Sequence, residues 1–337
     1  MEYIILIVAL VGIVFGADFL VAGSVSVARK FKVSDFVIGA AIVGVGTSMP
    51  ELVVSFIGAL NGNADVAIGN VVGSNIFNVL GILGVTAIFF PVAIDRKNMK
   101  FEIPLCIAVS ILLAVLALNF FSGTPASSIG IIGGADGPTA IFTTNKPATI
   151  SRIDGLVLLA FFAGFMWYSF ARDRKLASQN TEVVEEKTPL WVAVLKIVGG
   201  LTLLITSCDF FVDNAVLVAK SFGVNDAFIS LTLIACGTSL PELAASIAAA
   251  IKKNTDMALG NIVGSSIFNI TLILGLSSQV MPLTSSGITI VDYLVMISAA
   301  VIPFLFGFVG KVGRIGGILI FIGFISYNWY LIETQNL

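Results

Sequence analysis

The sequence predicts an all-α membrane protein of ten transmembrane helices arranged as two inverted five-helix repeats. Three observations predict it: a composition too apolar for water, ten apolar runs of spanning length, and an internal similarity at one constant offset. Of the 337 residues, 57% are hydrophobic and only 11% charged, and the mean hydropathy is +1.04. Soluble domains carry roughly 25% charged residues, so a multi-pass membrane protein is implied. A net charge of −2 gives no reason to expect nucleic acid or another polyanion as a partner.

The apolar runs fall near 3–28, 36–60, 66–90, 101–121, 153–171, 191–218, 226–251, 257–281, 290–309 and 314–332, each close to the roughly 20 residues that a bilayer requires. The chain opens on Met1–Glu2 and then an apolar run, with neither basic leader nor small-residue cleavage site, so the first run is expected to be a retained span. Lysine and arginine set the orientation. One set of loops holds Arg29, Lys30, Lys32, Arg96, Lys97, Lys100, Arg172, Arg174, Lys175, Lys187, Lys196, Lys252, Lys253, Lys311 and Arg314, and the other only Lys146, Arg152 and Lys220. Fifteen against three makes the first set cytoplasmic and puts both termini outside, in a cell (inner) membrane.

A shift of 191 residues lays Asp18-Phe19 on Asp209-Phe210 and Gly46-Thr47-Ser48-Met49-Pro50-Glu51-Leu52 on Gly237-Thr238-Ser239-Leu240-Pro241-Glu242-Leu243. The same shift lays the block from Gly69 to Asn78 on that from Gly260 to Asn269. Five spans per half is an odd number, so the copies insert in opposite senses, an arrangement that places a site at their interface and supports alternating access. The expected organisation is a first repeat over 1–121 and 153–171, an inserted extracytoplasmic or re-entrant segment over 122–150, a cytoplasmic linker over 172–190 and a second repeat over 191–337.

Glu51 and Glu242 lie inside apolar spans, where a carboxylate costs at least a few kcal/mol and needs a partner. No lysine or arginine is near either motif; a bound cation would serve. A protonated glutamate bonded to a neighbouring helix is the alternative, and two such residues at equivalent positions weigh against it. Pro50 and Pro241 disrupt the helix just before each glutamate, freeing carbonyls such as those of Gly44 and Ala235 to face an ion. Thr47, Ser48, Thr238 and Ser239 add hydroxyls, with back-bonding to their own helix as the competing use. Ser74 and Asn78 share one helical face, and Ser265 and Asn269 repeat the pair. Carboxylate, hydroxyl and amide oxygens are ligands for hard cations such as Ca²⁺ and Na⁺. The chain has no histidine, which removes the commonest transition-metal ligand. Asn70 and Asn261, among glycines, suit interhelical bonding. Asp18, Asp209 and Asp213 are candidates to line an access route, and Asp35 and Asp226 read as N-caps. Cys106, Cys208 and Cys236 read as buried small residues.

The paired GTS-x-PEL and GN-x-x-GS-x-x-x-N motifs resemble the alpha repeats of the calcium/cation antiporter superfamily, and most of all its prokaryotic sodium/calcium exchangers. The resemblance covers nearly the whole chain outside 122–150. It implies ten helices, with the first and sixth sliding across a core that holds the ions. Glu51 and Glu242 would be the central ligands; Thr47, Ser48, Ser74, Thr238, Ser239 and Ser265 would flank them, with Asn78 and Asn269 at the middle. It further implies no bond-breaking chemistry, no cofactor and no obligate protein partner, only Ca²⁺ and Na⁺ as substrates in a lipid bilayer. Archaeal relatives carry an aspartate at the position of Asn269. Two carboxylates reach −2, which one Ca²⁺ or two Na⁺ neutralise, so a stoichiometry other than three sodium per calcium is expected. The run from Gly130 to Thr139 resembles a motif of sodium-pumping decarboxylase beta subunits, where Asp136 would be an ion contact; Gly-Gly and Gly-Pro also make an ordinary turn. The alternatives are a cation/proton (Ca²⁺/H⁺ or Na⁺/H⁺) antiporter on the same fold, a decarboxylase-pump subunit and a channel.

Overall fold

The computed structural model describes residues 2–118, 127–134, 137–145, 148–177, 188–221, 237–285 and 288–334. Ala235, Asp136, Asp226 and Cys236 lie outside the described residues. Among the described residues, eight helices are long and apolar enough to cross a membrane, or nine if a bent pair counts as one span. The span expected at 226–251 is described only from Gly237, and the apolar helix within it, Leu240–Ile251, has 12 residues. The chain is thus a helical multi-pass membrane protein, and ten spans remain compatible with these helices.

Two long helices, α1 (Glu2–Phe31) and, further along, one over Leu190–Ser221, pack antiparallel on each other. Their contact runs along glycines. A Cβ on Gly16 would stand 2.6 Å from the Leu204 amide nitrogen, and one on Gly200 2.6 Å from that of Leu20, so the two backbones touch as small-residue seams in membranes allow. The outer faces expose Ile4, Ile7, Val14, Leu195, Val198 and Phe210, which suits lipid.

The second span is broken. Segments α2 (Asp35–Thr47) and α3 (Met49–Leu60) meet at Ser48 with a bend of 48°. Pro50 sits in the first turn of α3, where its missing amide hydrogen costs nothing. Asp35 is not the N-cap: Ser34 is, its hydroxyl accepting from the Val37 amide at 3.3 Å. Asp173 in turn holds Ser34, accepting from its amide at 2.8 Å and its hydroxyl at 2.5 Å. The serine is favoured because its oxygen reaches N3 while the acidic residue still faces the positive helix end.

The core is α4 (Ala64–Phe89), with α5 (Glu102–Ala117) and α6 (Arg152–Ala177) completing the first half. Arg172 of α6 lies over the Phe101 and Tyr168 rings, 5.8 and 6.0 Å from their centroids, and pairs with the buried Glu102. In the second half, α7 (Leu190–Ser221) and α8 (Leu240–Ile251) are followed by α9 (Thr255–Val280), α10 (Ile290–Gly307) and α11 (Arg314–Thr334). Helices α4 and α9 are the most enclosed, 78% and 94% buried. Each contains a π-helical stretch, Phe77–Leu83 and Asn269–Ile273.

The repeat extends to the turns. Asn63 and Asn254 cap α4 and α9 by accepting from the Val66 and Met257 amides, and the left-handed position before each is Gly62 (φ 76°) or Lys253 (φ 60°). Short strands tie the loops: β1 (Val92–Ala93) pairs with β6 (Lys311–Val312), and β4 (Ala148–Ile150) with β5 (Leu283–Ser285). Strands β2 (Ser127–Gly134) and β3 (Gly137–Asn145) form an antiparallel ladder in which Gly134 pairs with Gly137.

Candidate functional site

The site forms where the first turns of α3 and α8 meet at the centre of the core. Ser48 (φ −82°, ψ 10°) and Ser239 (φ −93°, ψ 7°) share one backbone conformation ahead of α3 and α8. That shape places Glu51 and Glu242 in the first turn of their helices, where the amide ends favour a negative group. Both glutamates are buried, at 0% and 1% exposure.

Their bonds cross between halves. The Ser48 hydroxyl donates to Glu242 Oε1 at 2.7 Å, and the Ser239 hydroxyl donates to Glu51 Oε1 at 2.8 Å. Each carboxylate is therefore anchored by the other repeat through one oxygen. The other oxygen, Glu51 Oε2 and Glu242 Oε2, is buried with no hydrogen-bond partner among the described residues. The same holds for both amide atoms of Asn78 and Asn269 and for the Thr238 hydroxyl. Buried polar atoms are nearly always paired, so this concentration of orphaned atoms around two carboxylates marks the place as a candidate site. Among the described residues no group of three or more His, Cys, Asp or Glu could hold a metal. Any ion here must therefore take most of its ligands from neutral oxygens.

The remaining predicted residues fall close by, in different uses. Ser74 is 3.2 Å from the Ser239 hydroxyl, while Ser265 donates to the Gly44 carbonyl at 3.3 Å. The Gly44 carbonyl also accepts from the Ser48 amide at 3.0 Å, so the break does not leave it bare. Thr47 bonds back to the Val43 carbonyl at 2.9 Å and meets Asn261 Oδ1 at 3.3 Å. Asn70 and Asn261 brace the first turns of α3 and α8 in the same way: each side-chain amide donates to the backbone carbonyl of its half's glutamate at 3.1 Å and to Ser55 or Ser246 at 3.0 and 2.9 Å. Asp18 ion-pairs with Lys252, and Asp209 and Asp213 are exposed. Cys106 and Cys208 are buried free thiols.

Sequence reasoning missed the π-helical stretches at Asn78 and Asn269 and the asparagine braces' link to the glutamate backbone. A π-turn inserts a residue into the helical register and recurs at functional sites. Its one signal in the sequence is indirect, an asparagine at the same repeat position in two nearly all-apolar helices.

The comparisons agree with this architecture. The sodium/calcium exchanger protein family profile matches residues 1–171 and 192–333. The chain is 36% identical to CaxA of Alkalimonas amylolytica over 337 residues, covering 98% of each. It is 28% identical to the sodium/calcium exchanger MaX1 of Methanosarcina acetivorans over 340 residues, covering 97% of each. Solved structures of the sodium-calcium exchanger NCX_Mj superpose over nearly the whole chain. The form soaked with zero Na⁺ and Ca²⁺ gives a TM-score of 0.78 at 29% identity, covering 98% of both chains. A form soaked with Na⁺ and Sr²⁺ gives 0.77 at 30% identity, covering 97% of both. The chain belongs to the sodium/calcium exchanger family, a membrane antiporter and not an enzyme.

Proposed function

We propose that the protein exchanges Ca²⁺ for Na⁺ by alternating access, with Glu51 and Glu242 as the central ligands of one shared cation site. Asn78, Asn269, Ser48, Ser239, Ser74, Ser265, Thr47 and Thr238 supply the neutral oxygens, together with the carbonyls of Gly44 and Ala235. What carries the reading is the orphaned set: Glu51 Oε2, Glu242 Oε2, Asn78 Oδ1, Asn269 Oδ1 and Thr238 Oγ1. A cation among them satisfies every one and offsets two buried negative charges at once. Gly44 and Thr47 are already bonded within the protein, so they act through second lone pairs or after rearrangement.

The lysine and arginine distribution supports a cell membrane orientation with both termini extracytoplasmic. It also supports 172–190 as a cytoplasmic linker between repeats at 1–121 with 153–171 and 191–337. The β4–β5 pairing ties the end of the 122–150 insertion to the loop after α9, which favours an extracytoplasmic loop over an additional crossing.

Purified protein sealed in vesicles loaded with Na⁺ and diluted into sodium-free buffer tests the coupling. Ca²⁺ uptake that requires internal Na⁺ supports the proposal. Uptake that follows an imposed proton gradient instead would move the protein to cation/proton antiport on the same fold.

A further inference from the structure

The two halves form matching gates, and one of them is closed in this structure. Helix α1 lies along α8, the helix that carries Glu242, whereas the repeat counterparts α7 and α3 barely touch. At the closed gate the Lys252 ammonium is 2.6 Å from the Asp18 carboxylate and 2.9 Å from the Asp18 carbonyl oxygen. Lys252 is also the C-cap residue of α8, its amide bonded to the Ala248 and Ala250 carbonyls, so the charge is fixed to the end of that helix. The repeat offset maps Asp18 onto Asp209 and Lys252 onto Asn61. Asn61 holds the same C-cap position on α3 but carries no charge, and Asp209 has no ion pair among the described residues.

Resting on the alternating-access reading, we infer that the Asp18–Lys252 pair is a one-sided latch that holds the α1–α8 gate shut and biases the exchanger toward the state open at α3 and α7. The argument is one of geometry. For α1 to leave α8, the ammonium must give up a carboxylate and a carbonyl oxygen together; when α7 closes on α3, the uncharged Asn61 offers Asp209 no ion pair. With Lys252 on the cytoplasmic face, the favoured state opens outward. The positive-inside rule accounts for a cytoplasmic lysine at 252 and for a neutral cap at Asn61 on the opposite face, but it asks for no partner on α1, and Asp18 supplies one. Exposed ion pairs contribute up to about 1 kcal/mol, roughly a fivefold change in a two-state ratio. The binding-competent fraction scales apparent affinity in proportion.

The test uses the full-length protein with spin labels on an α1 position (Val11) and an α11 position (Ile322), in a background without the native cysteines. Asp18→Asn and Lys252→Gln should each move the distance distribution toward a second population, the Asp18→Lys/Lys252→Asp double variant should restore it, and Asn61→Lys should favour the population that the single variants reveal. In oriented vesicles the single variants should raise the apparent Ca²⁺ affinity at the cytoplasmic face roughly fivefold relative to the outer face. Unchanged distances in both single variants, or failure of the swap to restore them, would overturn the latch. Distances that respond in a protein showing no Na⁺-driven Ca²⁺ flux would keep the latch and remove the antiport reading.

Discussion

The turn before Glu51 and the turn before Glu242 have one backbone but two environments. Ser239 reaches both Glu51 and Ser74, whereas Ser265 turns to the Gly44 carbonyl. Thr47 is tied back to Val43, while the Thr238 hydroxyl has no hydrogen-bond partner among the described residues. Next to Ser74 stands Asn75, with both amide atoms orphaned; its counterpart Ser266 satisfies itself on the Ile262 carbonyl at 2.9 Å. The same inequality reaches the periphery, where α1 lies on α8 and α7 barely touches α3. Alternating access demands halves that are alike in sequence and unlike in conformation, because each state is the other with the halves exchanged. The reciprocal serine–glutamate bonds are the part that must stay equal, and the flanking bonds are the part free to differ.

The largest expected effect tests the equality. Glu51→Gln and Glu242→Gln should each abolish Na⁺-driven Ca²⁺ uptake, with a loss of more than about a hundredfold, since each removes half the charge that holds the ion. A variant that retained flux while its counterpart lost it would break the symmetry of the site. Next come Ser48→Ala and Ser239→Ala. Each removes a charge-assisted bond worth about 1.5–3 kcal/mol, so roughly a tenfold or greater rise in the apparent KM for Ca²⁺ uptake is expected in both variants, similar in size. Gly16→Val sharpens the contrast between core and periphery. Its added carbons collide with the Leu204 backbone, costing about 1–3 kcal/mol as overpacking. Maximal flux should fall while equilibrium Ca²⁺ affinity in calorimetry changes little. The smallest effect belongs to the braces: Asn70→Ala and Asn261→Ala should each lower thermal stability by about 1 kcal/mol, read as a reduced melting temperature in detergent, with Ca²⁺ binding retained.

Much of this was legible in the sequence, for physical reasons. A bilayer leaves a strong hydropathy signature, and a constant offset of 191 residues exposes both the inversion and the paired glutamates. The two acids without a basic neighbour in the sequence are the ones whose second oxygens are orphaned among the described residues. Local hydrogen bonding was harder to read. Asp35 looks like a cap because aspartate often is one, yet Ser34 takes the position with Asp173, far away in sequence, holding it. Gly44 looks like a freed carbonyl, but the bend falls at Ser48, leaving the Gly44 oxygen bonded to the Ser48 amide. The π-turns at Asn78 and Asn269 come from packing between enclosed helices, which no single residue encodes. The strand pairs that fasten the loops join segments more than a hundred residues apart, beyond the reach of any local pattern.

The central claim is that both repeats contribute to one site that Ca²⁺ and Na⁺ share. Calorimetric Ca²⁺ titration of the purified protein, at several Na⁺ concentrations and beside Glu51→Gln and Glu242→Gln, tests it most directly. The account predicts that Na⁺ weakens Ca²⁺ binding competitively and that either substitution alone removes high-affinity Ca²⁺ binding. Ca²⁺ affinity unaffected by Na⁺, or intact in either variant, would contradict it.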